Sequence, residues 1–340
     1  MIQTAQKIRN IKVFSQVTEF LDILSLRIYS LSAMKCIKNS DAKYYHYRSG
    51  YGLESAKLAK KKGMVLVCDH SIAHPHTVDY LINNKGNIPN KISKGQISKF
   101  WNVINEDINI ADYVIVNSDF VKHTFKNHYK NIDNVFVAYS GVDNLSISNV
   151  KQYRKKSKYK KSKRVKFLFC GKFEKRKGSD ILIEALKNYP DKKIDLEIVG
   201  VPIENINQIK KSLSDLANVK INSFINKDEL LKKMLCSDVF IFPSLCEGSA
   251  RVVFQAMLCG CYIITTNNSG SIVKNHIHGA IVEPGSHDAL KNMMLHVESL
   301  DIDHIKNIGQ NNYDEIISNF DENTYYENVK TIYKKIEELN

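Results

Sequence analysis

The chain has 340 residues, 43% hydrophobic and 25% charged, which excludes a disordered or collagen-like polymer and suits two globular domains of ~100–200 residues each. No apolar run reaches ~18 residues, Met1 to Asn10 lacks the pattern of a secretory signal, and the seven irregularly spaced cysteines suggest no disulfide framework, so a reducing, cytoplasmic protein is expected. The net charge of +13 is lopsided: residues 1–165 hold 28 Lys+Arg against 12 Asp+Glu, the remainder 21 against 24, so the first half either faces a polyanion, an anionic membrane surface or nucleic acid, or is simply lysine-rich.

Residues 1–40 read as helical, with Val13, Val17, Phe20, Leu21, Leu24 and Ile28 on roughly one face, a stripe expected to enter the core. Strand Ala42–Tyr47, helix Leu53–Lys61 and strand Met64–Cys68 follow, then helix Phe100–Ile110, strand Tyr113–Asn117, helix Phe120–His128 and strand Asn134–Ala138. Lys151 to Arg164 packs nine cations into fourteen residues without apolar periodicity, which reads as an exposed linker because such charges repel. It separates a first domain, 1–150, from a second, 165–320, with a terminal helix in 321–340.

The second half alternates regularly. Strands Val165–Cys170, Ile194–Val199, Val219–Asn222, Val239–Phe242 and Tyr262–Thr265 are separated by helices Ser179–Asn188, Ile203–Leu216, Lys227–Cys236 and Ala250–Cys259. Most of these strands are continuous apolar runs rather than alternating ones, as expected for strands of a parallel sheet buried on both faces. Helical crossovers then make this half a doubly wound α/β domain.

In open parallel sheets ligands bind outside the carboxyl ends of the strands, so those loops carry the chemistry. The first, Gly171 to Gly178 (GKFEKRKG), combines two glycines with several cations before a helix, a setting for an anion. It is not a Walker A loop, whose residue order is absent. The second, Pro243 to Met257 (PSLCEGSARVVFQAM), places Glu247 in a turn, where a carboxylate can accept from ligand hydroxyls, and Gly248 and Ser249 at a helix start, suited to a phosphate. The third is the small-residue loop Asn267 to Ser271.

These three loops at this spacing resemble the C-terminal domain of family-4 glycosyltransferases, retaining enzymes of the glycosyltransferase-B fold. ADYVIVNSDFVKHTF (Ala111–Phe125), YSGVD (Tyr139–Asp143) and HGAIVEPGSHDAL also look like this family, and the likeness covers roughly residues 42–330. The resemblance implies two Rossmann-like, doubly wound domains facing across a cleft, with the terminal helix crossing back to the first. It implies transfer of a sugar from a nucleotide-diphosphate donor, UDP- or GDP-linked, to a hydroxyl acceptor, without a metal and with no cofactor beyond the donor. A glycan or lipid-linked acceptor at an anionic membrane would suit surface polysaccharide or lipopolysaccharide assembly.

Residue by residue, Lys172 takes the place of the family's phosphate-binding Arg and Lys177 that of its Lys; Lys for Arg keeps the charge and loses bidentate geometry. Glu247 matches the carboxylate that holds donor sugar hydroxyls. Gly171, Gly248, Ser249, Ala250 and Arg251 match the backbone around the diphosphate, and Gly200 a glycine near the nucleotide. Gln255 stands where the family has a ribose-binding Glu. His70, closing Val67-Cys68-Asp69-His70, matches a histidine at the transfer site, where a neutral imidazole could orient a donor hydroxyl; read from the residues alone, a satisfied histidine is the simpler account.

The chain also departs from the family. No glycine precedes Gly50 and no convincing strand opens the chain, so the first domain is expected to be shortened. Together with Gln255, that keeps open the alternative of a catalytically inactive binding or scaffold subunit. A metal among His70, His74 and His76 is not favoured, since no further ligand has suitable spacing. Nucleic acid is not favoured either, because the basic run interleaves only Tyr153 and Tyr159. Cys246, Cys259 and Cys261 read as small buried thiols, and Asp301-Ile302-Asp303 as part of a helical stretch.

Overall fold

Two parallel sheets hold the strands of the computed structural model, which describes residues 12–87, 97–156, 164–190 and 193–340. The chain divides into two units, residues 1–79 with 89–137, and residues 80–88 with 138–340.

In the first unit, β1 (Tyr44–Arg48), β2 (Val65–His70), β3 (Tyr113–Val116) and β4 (Val135–Val137) pair in chain order, all parallel. A sheet that never reverses has no switch point. Among the described residues this sheet shows no reversal of strand order. The reason lies upstream of Tyr44: a reversal needs a strand on the far side of β1, and the preceding segment is the helix Lys12–Lys38. That helix packs on Leu53–Lys61 and Lys99–Ile110.

Neither proline nor glycine interrupts residues 12–49, and the helix ends where Lys62 Nζ donates to the carbonyls of Ile37, Lys38 and Ser40 at 2.9, 2.8 and 2.6 Å, a cation at the negative end of the helix dipole. Its buried side is Leu26, Ser30 and Ile37. Ser30 Oγ donates to the Gly52 carbonyl at 2.7 Å and accepts from Ser55 N at 3.0 Å. The stripe expected in the core is instead exposed: Val17, Phe20, Leu21, Leu24 and Ile28 all face solvent, while the side chain of Val13 lies outside the described residues. The helix thus has two apolar faces, and the less conspicuous one docks.

In the second unit the order is β10-β9-β8-β5-β6-β7, with β5 (Lys166–Cys170), β6 (Lys193–Val199), β7 (Ala217–Asn222), β8 (Val239–Phe242), β9 (Tyr262–Thr265) and β10 (Gly279–Ile281). The order reverses between β5 and β8, so this half is doubly wound, as the continuous apolar runs predict. Phe167, Leu168, Phe169 and all of β8 are buried. Val142, Ile147 and Val150 belong to this core, so residues 138–150, which the sequence reading gave to the first domain, pack with the second.

The helix Asn144–Lys156 takes in the first six residues of the basic run. Arg154 lies 4.1 Å over the Tyr313 ring and Tyr153 donates to Asp228, so this stretch is docked helix rather than linker; residues 157–163 lie outside the described residues. The helix Pro75–Asn83 was also not foreseen. Its proline sits at the first helical position, where a missing N–H costs nothing.

One buried carboxylate organises the start of the first sheet. Asp107 accepts from the amides of Gly50 and Gly52, both at 2.8 Å, and of Leu53 at 2.6 Å, while its own carbonyl accepts from Tyr47 Oη at 2.8 Å. Burial pushes its carboxyl up to about 6 despite those three donors. Asp107→Ala orphans three amides and is expected to cost about 2–4 kcal/mol in urea unfolding of the whole chain; an unchanged midpoint would show that the loop holds itself.

Candidate functional site

The site forms at the β5/β8 reversal. Gly171 follows β5 with φ 154°, Gly178 starts the helix Ser179–Lys187 with φ 78°, and Gly200 follows β6 with φ 100°. A Cβ on Gly178 would stand 2.0 Å from the Pro243 carbonyl oxygen, and one on Gly200 2.1 Å from that of Gly171. Only glycine permits such approach. The carboxyl ends of β5, β6 and β8 are therefore drawn together by backbone contact.

Across this junction runs a chain of alternating charges. Lys177 Nζ lies 2.8 Å from Glu247 Oε1, and Arg176 Nη1 lies 2.7 Å from the same oxygen. Arg176 also reaches Glu174 at 3.1 Å, and Lys172 meets Glu174 at 3.0 Å. Glu247 is buried and its partners are mostly covered, whereas the Lys172 side chain is half exposed. Burial acts to raise the Glu174 carboxyl, but the Lys172 hydrogen bond and the Arg176 charge outweigh it and hold it below its ordinary value. For Arg176, burial is outweighed by Glu247, and its proton is held more tightly than usual. The Cys170 thiol is pushed up to about 12 by burial, only partly offset by Lys177, so it stays protonated at neutral pH.

The network places Lys172 one ion pair away from Glu247 and puts Arg176 against it. Arg176 is the residue sequence reasoning passed over. Its signal was its place beside Lys177 in the turn Lys175–Lys177, and its backbone is fixed too, since its carbonyl accepts from Leu245 N at 2.9 Å.

The second and third loops are stitched together. Glu247 N donates to the Asn268 carbonyl at 2.9 Å and Ala250 N to that of Ser269 at 3.0 Å. Asn268 Nδ2 donates to the carbonyls of Leu245 and Gly86, at 2.9 and 2.6 Å. Gly248, Ser249 and Ala250 lead into the helix Arg251–Leu258, with the Ser249 hydroxyl buried and without a hydrogen-bond partner among the described residues. Arg251 is exposed and Gln255, one turn further, is half-buried.

His70 is the last residue of β2, in the first unit, and is 1% exposed. Its Nε2 lies 3.3 Å from the Ala73 carbonyl and its Nδ1 2.8 Å from Ser49 Oγ. A carbonyl only accepts, so Nε2 carries the proton and Nδ1 accepts from the serine. Burial lowers its pKa to about 4, so the imidazole is neutral at physiological pH. His74, His76 and His128 stack face to face at 4.8 to 5.6 Å between centroids. Among the described residues no group of three or more His, Cys, Asp or Glu is arranged to hold a metal.

Residues 150–315 match the family model described as glycosyl transferases group 1. An uncharacterized glycosyltransferase of Methanocaldococcus jannaschii is 24% identical over 66% of this chain and 59% of its own length. The UDP-Gal:alpha-D-GlcNAc-diphosphoundecaprenol alpha-1,3-galactosyltransferase of Escherichia coli is 25% identical over 49% of this chain and 44% of its own. The chain thus spans about half the length of these curated relatives. Among solved structures, Anabaena HepE, in complex with UDP-glucose, superposes with a TM-score of 0.64 at 18% identity over 90% of this chain and 82% of its own. The two parallel sheets are those of the glycosyltransferase-B fold, and the domain at residues 150–315 belongs to the glycosyl transferases group 1 family.

Proposed function

We propose that the chain transfers a sugar, with retention, from a nucleotide-diphosphate donor to a hydroxyl acceptor. The carrying observation is the Arg176–Glu247–Lys177 cluster at the β5/β8 reversal. Breaking the anomeric C–O bond adds a further negative charge to a diphosphate that already carries two. Fixed cations in a poorly hydrated site stabilise that charge as it develops, without reorganisation. Lys177 and Arg176 are those cations, with the half-exposed Lys172 outside them. The new C–O bond forms from the acceptor oxygen on the face the diphosphate leaves, and the hydroxyl proton passes to the leaving phosphate oxygen.

Glu247 has two tasks in this reading. It holds the cations in place, and it accepts from donor sugar hydroxyls. Gly171, Gly200, Gly248 and Ala250 let backbone approach the diphosphate, the Ser249 hydroxyl and Arg251 meet its distal end, and Gln255 accepts from a ribose hydroxyl without the charge of a Glu. His70, at the end of β2, offers a neutral hydrogen-bonding group. A UDP-linked hexose is the first donor to test, since HepE was solved with UDP-glucose. The Escherichia coli relative points to a lipid-linked acceptor of surface polysaccharide assembly, a role at the cytoplasmic membrane face.

UDP, GDP and their sugars should be ranked by the rise in melting temperature they cause. With the best donor, Lys177→Ala and Arg176→Ala are each expected to lower kcat/KM about 10²–10³-fold, and Lys172→Ala less than about tenfold. Donor binding without release of nucleotide, with or without acceptors, would instead favour the scaffold reading that Gln255 invites.

The state of His70 is testable by stability. Its folded pKa of about 4 lies below the ordinary 6.5, so its contribution is complete above pH 6.5 and is lost as pH falls toward 4. Asp107, raised to about 6, acts in the opposite sense below pH 6. The unfolding free-energy gap between wild type and His70→Gln should therefore shrink on going from pH 7 to 4.5. A constant gap would mean the imidazole titrates normally.

A further inference from the structure

The exposed face of the helix Lys12–Lys38 has no task in the transfer chemistry. Val17, Phe20, Leu21, Leu24, Ile28 and Leu31 are 40 to 64% exposed. At 100° per residue they fall within about 100° of arc. Arg27, Lys35 and Lys38 are exposed on the same half of the helix. Its two acids lie elsewhere: Glu19 points to the docked side, where its carboxylate accepts from Phe100 N at 2.9 Å, and Asp22 falls about 140° from the stripe's start.

We propose that this face lies flat in an anionic lipid surface, with the six apolar side chains among the acyl chains and the three cations at the headgroups. Three observations select that occupant. First, every charged residue on this half of the helix is a cation, so apolar burial and electrostatic attraction act together. Second, the unit that carries the helix is itself basic, with 18 Lys+Arg against 11 Asp+Glu in residues 1–79 and 89–137; the run 151–164 falls in the other unit and is not counted in that excess. Third, no described helix is long and apolar enough to cross a membrane, so the stripe would lie in the interface. A second copy of the chain laid stripe on stripe would bring cations together with no carboxylate on that face to pair them. The inference does not depend on the transferase reading, because docking is measured without turnover, but it would bring the enzyme to a lipid-linked acceptor.

The test is flotation of the full chain with vesicles of phosphatidylcholine alone and with about 30% phosphatidylglycerol. Binding is expected to the anionic vesicles only, and to weaken with salt. The double variant Phe20→Ser/Leu24→Ser should lower the apparent partition coefficient at least tenfold, by the loss of about two buried side chains. Lys35→Glu should lower it several-fold at low salt. Both variants change exposed side chains, so circular dichroism melts should match wild type and separate lost docking from lost folding. Equal binding to both vesicle types, binding that survives the double variant, or no binding would each overturn the proposal. So would a dimer by light scattering that the double variant dissociates, which would assign the stripe to a second copy.

Discussion

A carboxylate removed from water must be paired or neutral, and Glu247 is paired twice. One oxygen receives both Lys177 and Arg176. Neither cation could reach it unless β5 and β8 were neighbours with their ends nearly touching. That nearness is set by Gly178 against Pro243 and by a parallel sheet that reverses between those strands. The ion pairs are therefore a consequence of topology, and removing one partner would leave a buried charge uncompensated, which costs several times the net worth of an intact pair. The same arrangement leaves two cationic groups concentrated where two loops meet, both already largely withdrawn from water.

The second unit was legible in the sequence because its physics is local and repetitive. Strands buried on both faces must be apolar throughout, so Val239–Phe242 and Tyr262–Thr265 matched to the residue. Glycines with φ above zero marked the loops between them. The charge partners were less legible. GKFEKRKG offers four cations, and which of them faces Glu247 depends on a single short turn, Lys175–Lys177. A shift of one residue in that turn redirects each side chain, and spacing alone does not fix it. Arg176 was passed over for that reason.

The first unit was harder because its cues conflict. The stripe of Val17, Phe20, Leu21, Leu24 and Ile28 is the more regular apolar pattern of its helix, yet the side that docks is Leu26, Ser30 and Ile37, where a serine hydroxyl bridges two backbone groups. Hydrophobic periodicity says that a face wants to leave water; it does not say whether protein or another apolar phase receives it. The basic run failed in the opposite way. Its charge density hid the fact that Tyr153 and Arg154 have partners on helices distant in sequence, Asp228 and Tyr313.

His70 shows how burial and two hydrogen bonds fix the state of one side chain. A histidine whose two nitrogens are both engaged cannot act as a free base, and with its pKa lowered to about 4 it carries no charge at neutral pH. What it can do is hold a fixed polarity. The Ala73 carbonyl requires a proton on Nε2, which makes Nδ1 the acceptor for Ser49 Oγ. Ser49 lies in the turn after β1 that Asp107 pins through the amides of Gly50 and Gly52. The imidazole, the serine and the aspartate thus tie the carboxyl ends of β1 and β2 into one rigid edge. A hydroxyl that displaced the Ala73 carbonyl would meet a donor already oriented, and it would do so without altering the protonation of the ring.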